Sequence, residues 1–327
     1  MSENNSTAQT PGPIPASQSK TSPRIIFMGT PEFAVASLDA IVKAGYPVIA
    51  VITAPDKPAG RGLQITVSAV KKYALDNGLK ILQPEKLKNP QFLEELQSFQ
   101  ADLQVVVAFR MLPELVWNMP PMGTVNLHGS LLPQYRGAAP INWAVINGEK
   151  ETGVTTFKLQ QDIDTGNILL QDSFPIGEKD TAGEVHDRMK EIGARLLVRT
   201  IEGLAAGTLK EIPQDNSTTL RHAPKIFTET CKIDWTKPVT EIYNLIRGLS
   251  PFPAAFTYLD GKLLKIYHSE KETTSPTIPP GQYITDQKTT LKFAAADGYI
   301  KITELQLEGK KKMKTGDFLR GYKQFIK

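Results

Sequence analysis

The stretch Arg24-Ile25-Ile26-Phe27-Met28-Gly29-Thr30-Pro31-Glu32-Phe33 joins an apolar segment to the start of a helix. A continuous apolar run of this kind is typical of a strand buried on both faces of a parallel sheet. Thr30 is expected to cap the helix, Pro31 suits its first position, and Glu32 complements the positive end of its dipole. The stretch therefore predicts a strand, a tight turn and a helix that continues to about Lys43.

Strands and helices continue to alternate after this first unit. We predict strands at 47–53, 80–83 and 103–108, with helices at 67–77 and 90–99. Such alternation favours an α/β fold with a Rossmann-like, doubly wound, mostly parallel sheet. The usual nucleotide motifs are missing, because the first turn holds only Gly29 and the chain contains no G-x-x-x-x-G-K-[ST] segment.

The character of the sequence changes after an amphipathic helix predicted at 182–204. Two strong hairpin signals follow, Asp260-Gly261 and Asp297-Gly298, each between short apolar strands. They predict a smaller C-terminal β-barrel of the OB type. The expected organisation is a disordered leader at 1–23, a catalytic domain at 24–207, a linker at 208–227 and the barrel at 228–327.

The amino-acid composition is that of a globular protein without disulfides or membrane helices. The chain has 327 residues, 40% hydrophobic and 22% charged, and its single cysteine excludes an internal disulfide. No apolar run approaches the roughly 20 residues of a membrane helix. We expect a cytoplasmic protein that acts as a monomer and contacts no membrane.

Positive charge is concentrated in the last third of the chain. Residues 226–327 hold 16 Lys and Arg against 11 Asp and Glu, whereas the net charge of the whole chain is +4. The densest group consists of Lys310, Lys311, Lys312 and Lys314. Such a group is often only a solvated surface, and it becomes a binding site for nucleic-acid phosphates if the rest of the chain implies a nucleic-acid substrate.

The segment Val125-Asn126-Leu127-His128-Gly129-Ser130-Leu131-Leu132-Pro133 holds the candidate chemistry. In an extended strand, Asn126 and His128 point to the same face. An amide that polarises a carbonyl oxygen and an imidazole that moves a proton together suit nucleophilic attack on a carbonyl.

This segment resembles the hallmark of the folate-dependent formyltransferases, and the resemblance extends over about residues 24–327. It implies a third catalytic residue, Asp164, in the turn Ile163-Asp164-Thr165-Gly166. It also implies contacts with 10-formyltetrahydrofolate from two segments: Ser130, Leu131, Leu132 and Pro133, and Phe109, Arg110, Met111 and Leu112. Arg110 could equally cap the end of its strand.

Three further segments are similar to family members that formylate methionyl-tRNA. They are Met28–Ala34, Asp56–Gly62 and Arg136–Ile141. The resemblance implies that Arg61 contacts the tRNA acceptor end, and that the enzyme formylates the α-amino group of initiator methionyl-tRNA for translation initiation. The alternatives are formylation of a small amine, such as an amino-sugar nucleotide or glycinamide ribonucleotide, hydrolysis of the formyl folate, and noncatalytic RNA binding.

In the expected mechanism, His128 is the general base, since imidazole titrates near neutral pH. Asp164 orients His128, with Asp162 as the competing carboxylate, and Asn126 donates to the oxyanion. No metal is expected, because His186, His222 and His268 are isolated in the sequence and form no typical ligand cluster.

Overall fold

The structure is a computed structural model that describes residues 22–59, 64–217 and 219–322. The strands of its first part are β1 Ile25–Gly29, β2 Val48–Ile52, β3 Lys57–Ala59, β4 Gln64–Thr66, β5 Ile81–Leu82, β6 Leu103–Val107, β7 Thr124–His128, β8 Arg136–Gly137, β9 Glu151–Lys158 and β10 Ile168–Pro175. The helices of this part are α1 Glu32–Lys43, α2 Ala69–Asp76, α3 Pro90–Ser98, α4 Glu114–Trp117, α5 Pro140–Ile146 and α6 Ala182–Ala206.

Seven of these strands form one twisted sheet in the order β10-β9-β7-β6-β1-β2-β5. The five strands β7, β6, β1, β2 and β5 run parallel to one another. Strand β9 pairs antiparallel with both of its neighbours, β7 and β10. The predicted Rossmann-like, mostly parallel sheet is therefore confirmed. The carboxyl ends of β1, β6 and β7 meet at one edge, where α/β proteins usually place their ligands.

The apolar run at 25–28 lies in the middle of this sheet and is fully buried. Ile25 and Phe27 pack into the hydrophobic cluster that includes α1 and α6, whereas Ile26 and Met28 pack against α3 and α4 on the other face. Burial on both faces explains why the run has no polar alternation.

Helix α6 covers one face of the sheet beside α1. It begins with a capping box in which Thr181 accepts from the backbone N–H of Glu184 and the Glu184 carboxylate accepts from Thr181. It ends at Gly207, whose φ of +66° suits glycine. Among the described residues, no helix is both long and apolar enough to cross a membrane.

The second part of the chain contains β11 His222–Ala223, α7 Thr228–Cys231, α8 Val239–Leu249, β12 Ala255–Leu259, β13 Lys262–Glu272, β14 Tyr283–Thr285, β15 Leu291–Ala294, β16 Tyr299–Leu307, β17 Met313–Lys314 and α9 Thr315–Gly321. Its antiparallel sheet follows the order β12-β13-β16-β15-β14, with β17 added beside β16. Together with α8 and α9, this curled sheet encloses a hydrophobic cluster of its own. The predicted antiparallel C-terminal fold is confirmed and takes the form of a half-barrel.

The two parts are joined through a buried arginine on α8. Arg247 is only 6% exposed and donates to the carbonyl oxygens of Gly177 and Asp180, at 3.3 and 3.0 Å. Asn142 on α5 donates to the carbonyl oxygen of Gly248 at 2.7 Å. Helix α8 is therefore tied to the loop before α6 and to α5.

The predicted helices and strands agree with the structure to within a few residues at their ends. The expected Thr30 cap is wrong: Pro31 is the capping residue of α1, and no side-chain hydrogen bond caps this helix. Pro31 has an extended backbone (ψ 174°), so the helix begins one residue later. Residues 1–21 of the expected leader lie outside the described residues.

Candidate active site

Strand β7 brings two of the candidate residues to the edge of the sheet. Val125 and Leu127 point into the cluster beneath α6, so Asn126 and His128 point to the opposite face. The strand ends at His128, and its neighbour β6 pairs Val106 with Asn126. The predicted juxtaposition of the amide and the imidazole follows from this alternation.

The imidazole of His128 lies between two oxygen atoms. Its Nε2 is 2.9 Å from the carbonyl oxygen of Tyr135, and its Nδ1 is 3.7 Å from Oδ2 of Asp164. Because a carbonyl oxygen only accepts, Nε2 carries the proton in the neutral ring and Nδ1 keeps its lone pair. A second proton on Nδ1 would then face the carboxylate.

The carboxylate of Asp164 is buried beside this ring. Asp164 is 9% exposed and His128 is 7% exposed, so little water separates them. Oδ2 of Asp164 also accepts from the backbone N–H of Gly137 at 2.9 Å. The competing Asp162 is exposed, and within the described ranges Asp164 is the carboxylate that lies within 4.0 Å of His128.

The Tyr135 carbonyl that contacts His128 and the Gly137 N–H that contacts Asp164 belong to one segment. A short parallel strand pairing holds this segment in place. Strand β8 pairs with β11, so that Gly137 lies opposite Ala223. The backbone of Gly137 has a φ of +123°, and a Cβ atom there would lie 2.5 Å from the Ala223 carbonyl oxygen. Glycine is therefore required at this position for the N–H to reach Asp164.

Asn126 has a side chain that is available to a ligand. It is half-buried, and none of the hydrogen bonds found in the described part of the chain uses its side-chain amide. It lines the same cavity as His128 and Asp164. These three catalytic candidates therefore face one common space.

This cavity has a volume of about 680 Å³, which is within the usual range of small-molecule sites. Apolar side chains form much of its wall. They include Phe33, Phe109, Met111, Leu112, Trp117, Ile141 and Ile163. Such a wall suits a flat aromatic ligand whose reacting group lies beside Asn126, His128 and Asp164.

The four residues predicted at 109–112 all line the cavity. Arg110 donates from Nη1 to the carbonyl oxygen of Glu85 at 2.8 Å and from Nη2 to that of Pro84. Partial burial lowers the pKa of its guanidinium. The guanidinium therefore ties the end of β6 to the neighbouring loop, as expected for a strand cap, and still borders the cavity.

The segment 130–133 lies behind the wall of the cavity. Ser130 is fully buried and donates to the carbonyl oxygen of Gln134 at 2.6 Å, and the backbone N–H of Leu132 donates to Thr155 at 3.1 Å. None of Ser130, Leu131, Leu132 and Pro133 lines the cavity. Direct folate contact by these four residues stays a prediction.

Of the predicted tRNA contacts, Arg61 belongs to 60–63, outside the described residues. The strands that precede and follow these residues in the chain, β3 and β4, pair with each other. Lys310, Lys311, Lys312 and Lys314 are exposed around the β16–β17 turn. Lys312 is partly neutralised, since its Nζ lies 2.8 Å from Glu304.

The sequence interpretation missed two contributors to the site. His186, expected to be an isolated histidine, lines the cavity and packs on Phe33 with ring centroids 5.2 Å apart. The Tyr135 carbonyl carries no sequence signal, because any residue has one. Groups of three or more typical metal ligands do not occur within 22–59, 64–217 and 219–322.

Comparisons with known proteins show the family to which this chain belongs. The family model described as formyl transferase matches residues 23–201, and the formyl transferase C-terminal domain matches 225–323. Methionyl-tRNA formyltransferase of Parabacteroides distasonis is 56% identical over 311 residues, covering 92% of this chain and 96% of the relative. That of Bacteroides fragilis is 53% identical over 307 residues, covering 91% and 95%.

Among solved structures, the sugar 3N-formyltransferase WlaRD, determined in the presence of dTDP and 5-N-formyl-THF, superposes with a TM-score of 0.65. It is 23% identical, and the match covers 88% of this chain and 98% of that one. At this identity the likeness shows the shared fold. The family matches and the two bacterial relatives show more: this chain belongs to the formyltransferase family, within its methionyl-tRNA formyltransferases.

Proposed function

We propose that this protein transfers the formyl group of 10-formyltetrahydrofolate to the α-amino group of initiator methionyl-tRNA, and that the transfer takes place beside the His128–Asp164 pair. The observation that carries the proposal is the convergence of Asn126, His128 and Asp164 on one cavity. The identity of the relatives supports the choice of methionyl-tRNA as the acceptor.

His128 is the base in this proposal. An amine attacks a carbonyl carbon only when its nitrogen has a free electron pair, so one proton must leave as the new carbon–nitrogen bond forms. Nδ1 of His128 can take that proton because Nε2 already donates to the Tyr135 carbonyl. The resulting imidazolium is stabilised by the carboxylate of Asp164, whose Oδ2 lies 3.7 Å away.

Asn126 has the complementary role at the oxygen. Its side-chain amide can donate to the formyl oxygen as negative charge develops there during attack. When the bond between the formyl carbon and N10 of the folate breaks, His128 returns its proton to that nitrogen. The formyl group has then moved from one nitrogen to another, with no net change in protons or electrons.

The cavity wall supports a folate as the donor. Phe109, Met111, Leu112 and Trp117 give an apolar surface for a flat ring system, and the three catalytic candidates line the same cavity. A volume of about 680 Å³ is enough for a ligand of this size.

The acceptor tRNA needs contacts outside this cavity. We assign Arg61 to the acceptor end, since a guanidinium suits phosphate and the paired strands β3 and β4 that flank it in the chain are anchored. The Asp56 carboxylate, just before β3, binds the ammonium of Lys71 and accepts from Gln83 at 2.9 Å. The exposed lysines of the β16–β17 turn add nonspecific attraction to phosphates.

The test is incubation with 10-formyltetrahydrofolate and labelled methionyl-tRNA, followed by analysis for N-formylmethionine. Formation of formylmethionyl-tRNA, strongly reduced but measurable in the Asp164→Asn variant, is the expected result. Formate without formylmethionine would indicate a hydrolase, and formylation of an amino-sugar nucleotide or glycinamide ribonucleotide instead would overturn the assigned acceptor. Substituting Arg61→Ala should raise the KM for methionyl-tRNA, and an unchanged KM would contradict the role given to Arg61.

A further inference from the structure

The segment between α6 and α7, predicted as a linker, returns to the active site. Ile212 forms an isolated antiparallel bridge with Ile168, at the start of β10. The backbone carbonyl of Arg221 accepts from the N–H of Tyr135 at 2.6 Å. This segment therefore runs beside the same residues that support His128 and Asp164.

Gln214 is the residue of this segment that reaches the catalytic turn. Its side-chain Nε2 donates to the carbonyl oxygens of Asp164 and Gly166, both at 2.8 Å. Its Oε1 accepts from Nε and Nη2 of Arg136, at 3.1 and 2.6 Å. One amide thus uses both of its donor hydrogens on the turn and its acceptor on the guanidinium.

The turn that Gln214 holds has an unfavourable backbone. Asp164 has a φ of +55°, a left-handed conformation that most side chains avoid. Its neighbour Gly166 has no room for a side chain, because a Cβ atom there would lie 1.7 Å from the Lys158 carbonyl oxygen. The carbonyl oxygens of Asp164 and Gly166 both accept from the Gln214 amide nitrogen, which holds the two ends of the turn together.

We propose that Gln214 is a positioning residue: it fixes the 164–166 turn so that the Asp164 carboxylate stays beside Nδ1 of His128. Gln214 does not line the cavity, so it acts through Asp164 and not on the substrate. The proposal rests on the catalytic role given to Asp164 under the proposed function.

Two substitutions distinguish the donor nitrogen of the Gln214 amide from its acceptor oxygen. Gln214→Glu keeps the oxygen that accepts from Arg136 and replaces the donor nitrogen by a second acceptor that faces two carbonyls. Gln214→Leu removes both the donor nitrogen and the acceptor oxygen. Asn216→Ala is the matched control, because Asn216 also accepts from Nη2 of Arg136, at 2.8 Å, and no hydrogen bond found in the described part of the chain joins its side chain to the turn.

Assayed at pH 8, where the new carboxyl is ionised, Gln214→Glu and Gln214→Leu should lower kcat about tenfold or more, since a small displacement of a catalytic group is costly. Calorimetric dissociation constants for 5-formyltetrahydrofolate and for tRNA should stay within about twofold of the wild-type values. Asn216→Ala should leave kcat within about twofold. Thermal unfolding, followed by circular dichroism, checks that each variant is folded.

A double-mutant comparison distinguishes positioning from a general structural effect. In the Asp164→Asn background, Gln214→Glu should cause little further loss of kcat, because both changes act through one carboxylate. Independent, multiplicative losses would overturn the proposal, and so would an equal loss in Asn216→Ala. Normal turnover of Asp164→Asn itself would refute the catalytic role given to Asp164 under the proposed function. An impaired Asp164→Asn together with a normal Gln214→Glu would refute this inference alone.

Discussion

The Nδ1 atom of His128 lies 3.7 Å from Oδ2 of Asp164, on the opposite side of the ring from the Tyr135 carbonyl. Both ring nitrogens therefore face oxygen atoms, one neutral and one negatively charged. This arrangement refines the role expected for Asp164. In the proposed mechanism, the Tyr135 carbonyl fixes which nitrogen is protonated in the neutral ring, and Asp164 stabilises the ring after it has taken the proton.

Replacing the base tests this division of roles. His128→Ala should lower kcat by about 10²–10⁴-fold, the usual contribution of a positioned general base. The KM for methionyl-tRNA should change little, because the imidazole contacts the reacting nitrogen and not the body of the tRNA. Near-normal turnover by a folded variant that still binds both substrates would contradict the assignment.

The oxyanion contact makes a separate prediction. Asn126→Ala should lower kcat by about 10²–10³-fold, since a lost donor of this kind costs about 2.7–4 kcal/mol of barrier. Single-turnover kinetics at saturating folate measures the chemical step directly. Asn126→Asp should be impaired at least as strongly, because a carboxylate cannot donate and repels the developing charge. Activity retained in both variants would remove Asn126 from the mechanism.

The basic turn makes a prediction about salt. Lys311→Ala should weaken tRNA binding and reduce the slope of log K against log salt by up to about 0.9 for a lost phosphate contact. Lys312→Ala is the control within the same turn: its Nζ lies 2.8 Å from Glu304 and 4.8 Å from the Tyr267 ring centroid, so it should change the slope less. Filter binding over a range of salt concentrations gives both slopes. If neither changes, the turn is a solvated surface.

The buried arginine of α8 predicts a stability effect. Arg247→Met should lower the free energy of unfolding by about 1–3 kcal/mol, because the carbonyls of Gly177 and Asp180 lose their donor inside the protein. Burial also lowers the pKa of this guanidinium. Arg195→Met, at an exposed position of α6, should stay within about 0.5 kcal/mol of the wild type. Urea unfolding of the two variants measures the difference.

The carboxylate of Asp180 predicts how stability depends on pH. Burial alone would raise its pKa, but hydrogen bonds from Arg188 and from the Gly177 N–H outweigh that effect, so the pKa lies below its ordinary value. A carboxyl with a lowered pKa in the folded state stabilises the protein above its unfolded pKa. That stabilisation is lost as the pH falls through the folded value.

Asp180→Asn should therefore flatten the acid side of the stability curve. The thermal midpoint of the variant should fall less than that of the wild type as the pH is lowered through the carboxyl range, near pH 4 and below. Asp76→Asn, at an exposed position at the end of α2, is the control and should follow the wild type. If the thermal midpoints of the wild type and both variants fell equally as the pH was lowered, the proposed link between protonation of Asp180 and stability would be contradicted.

Local patterns account for most of what could be predicted. The buried run at 25–28 and the alternation of Asn126 and His128 are properties of single strands, so the sequence alone indicates them. Asp164 came from the family resemblance, because one aspartate before a glycine is an ordinary turn. The contacts of Gln214 could not be predicted, since they join residues 48 and 50 positions apart through a segment without periodicity.

The pairing of β11 with β8 has a consequence for the order of synthesis. The main sheet is complete once Pro175 has emerged, but Ala223, which holds the Gly137 backbone against Asp164, is made later. A chain made only as far as residue 221 has every strand of the main sheet but lacks the strand that holds Gly137 beside Asp164. We expect such a truncated chain to be inactive even where its main sheet forms.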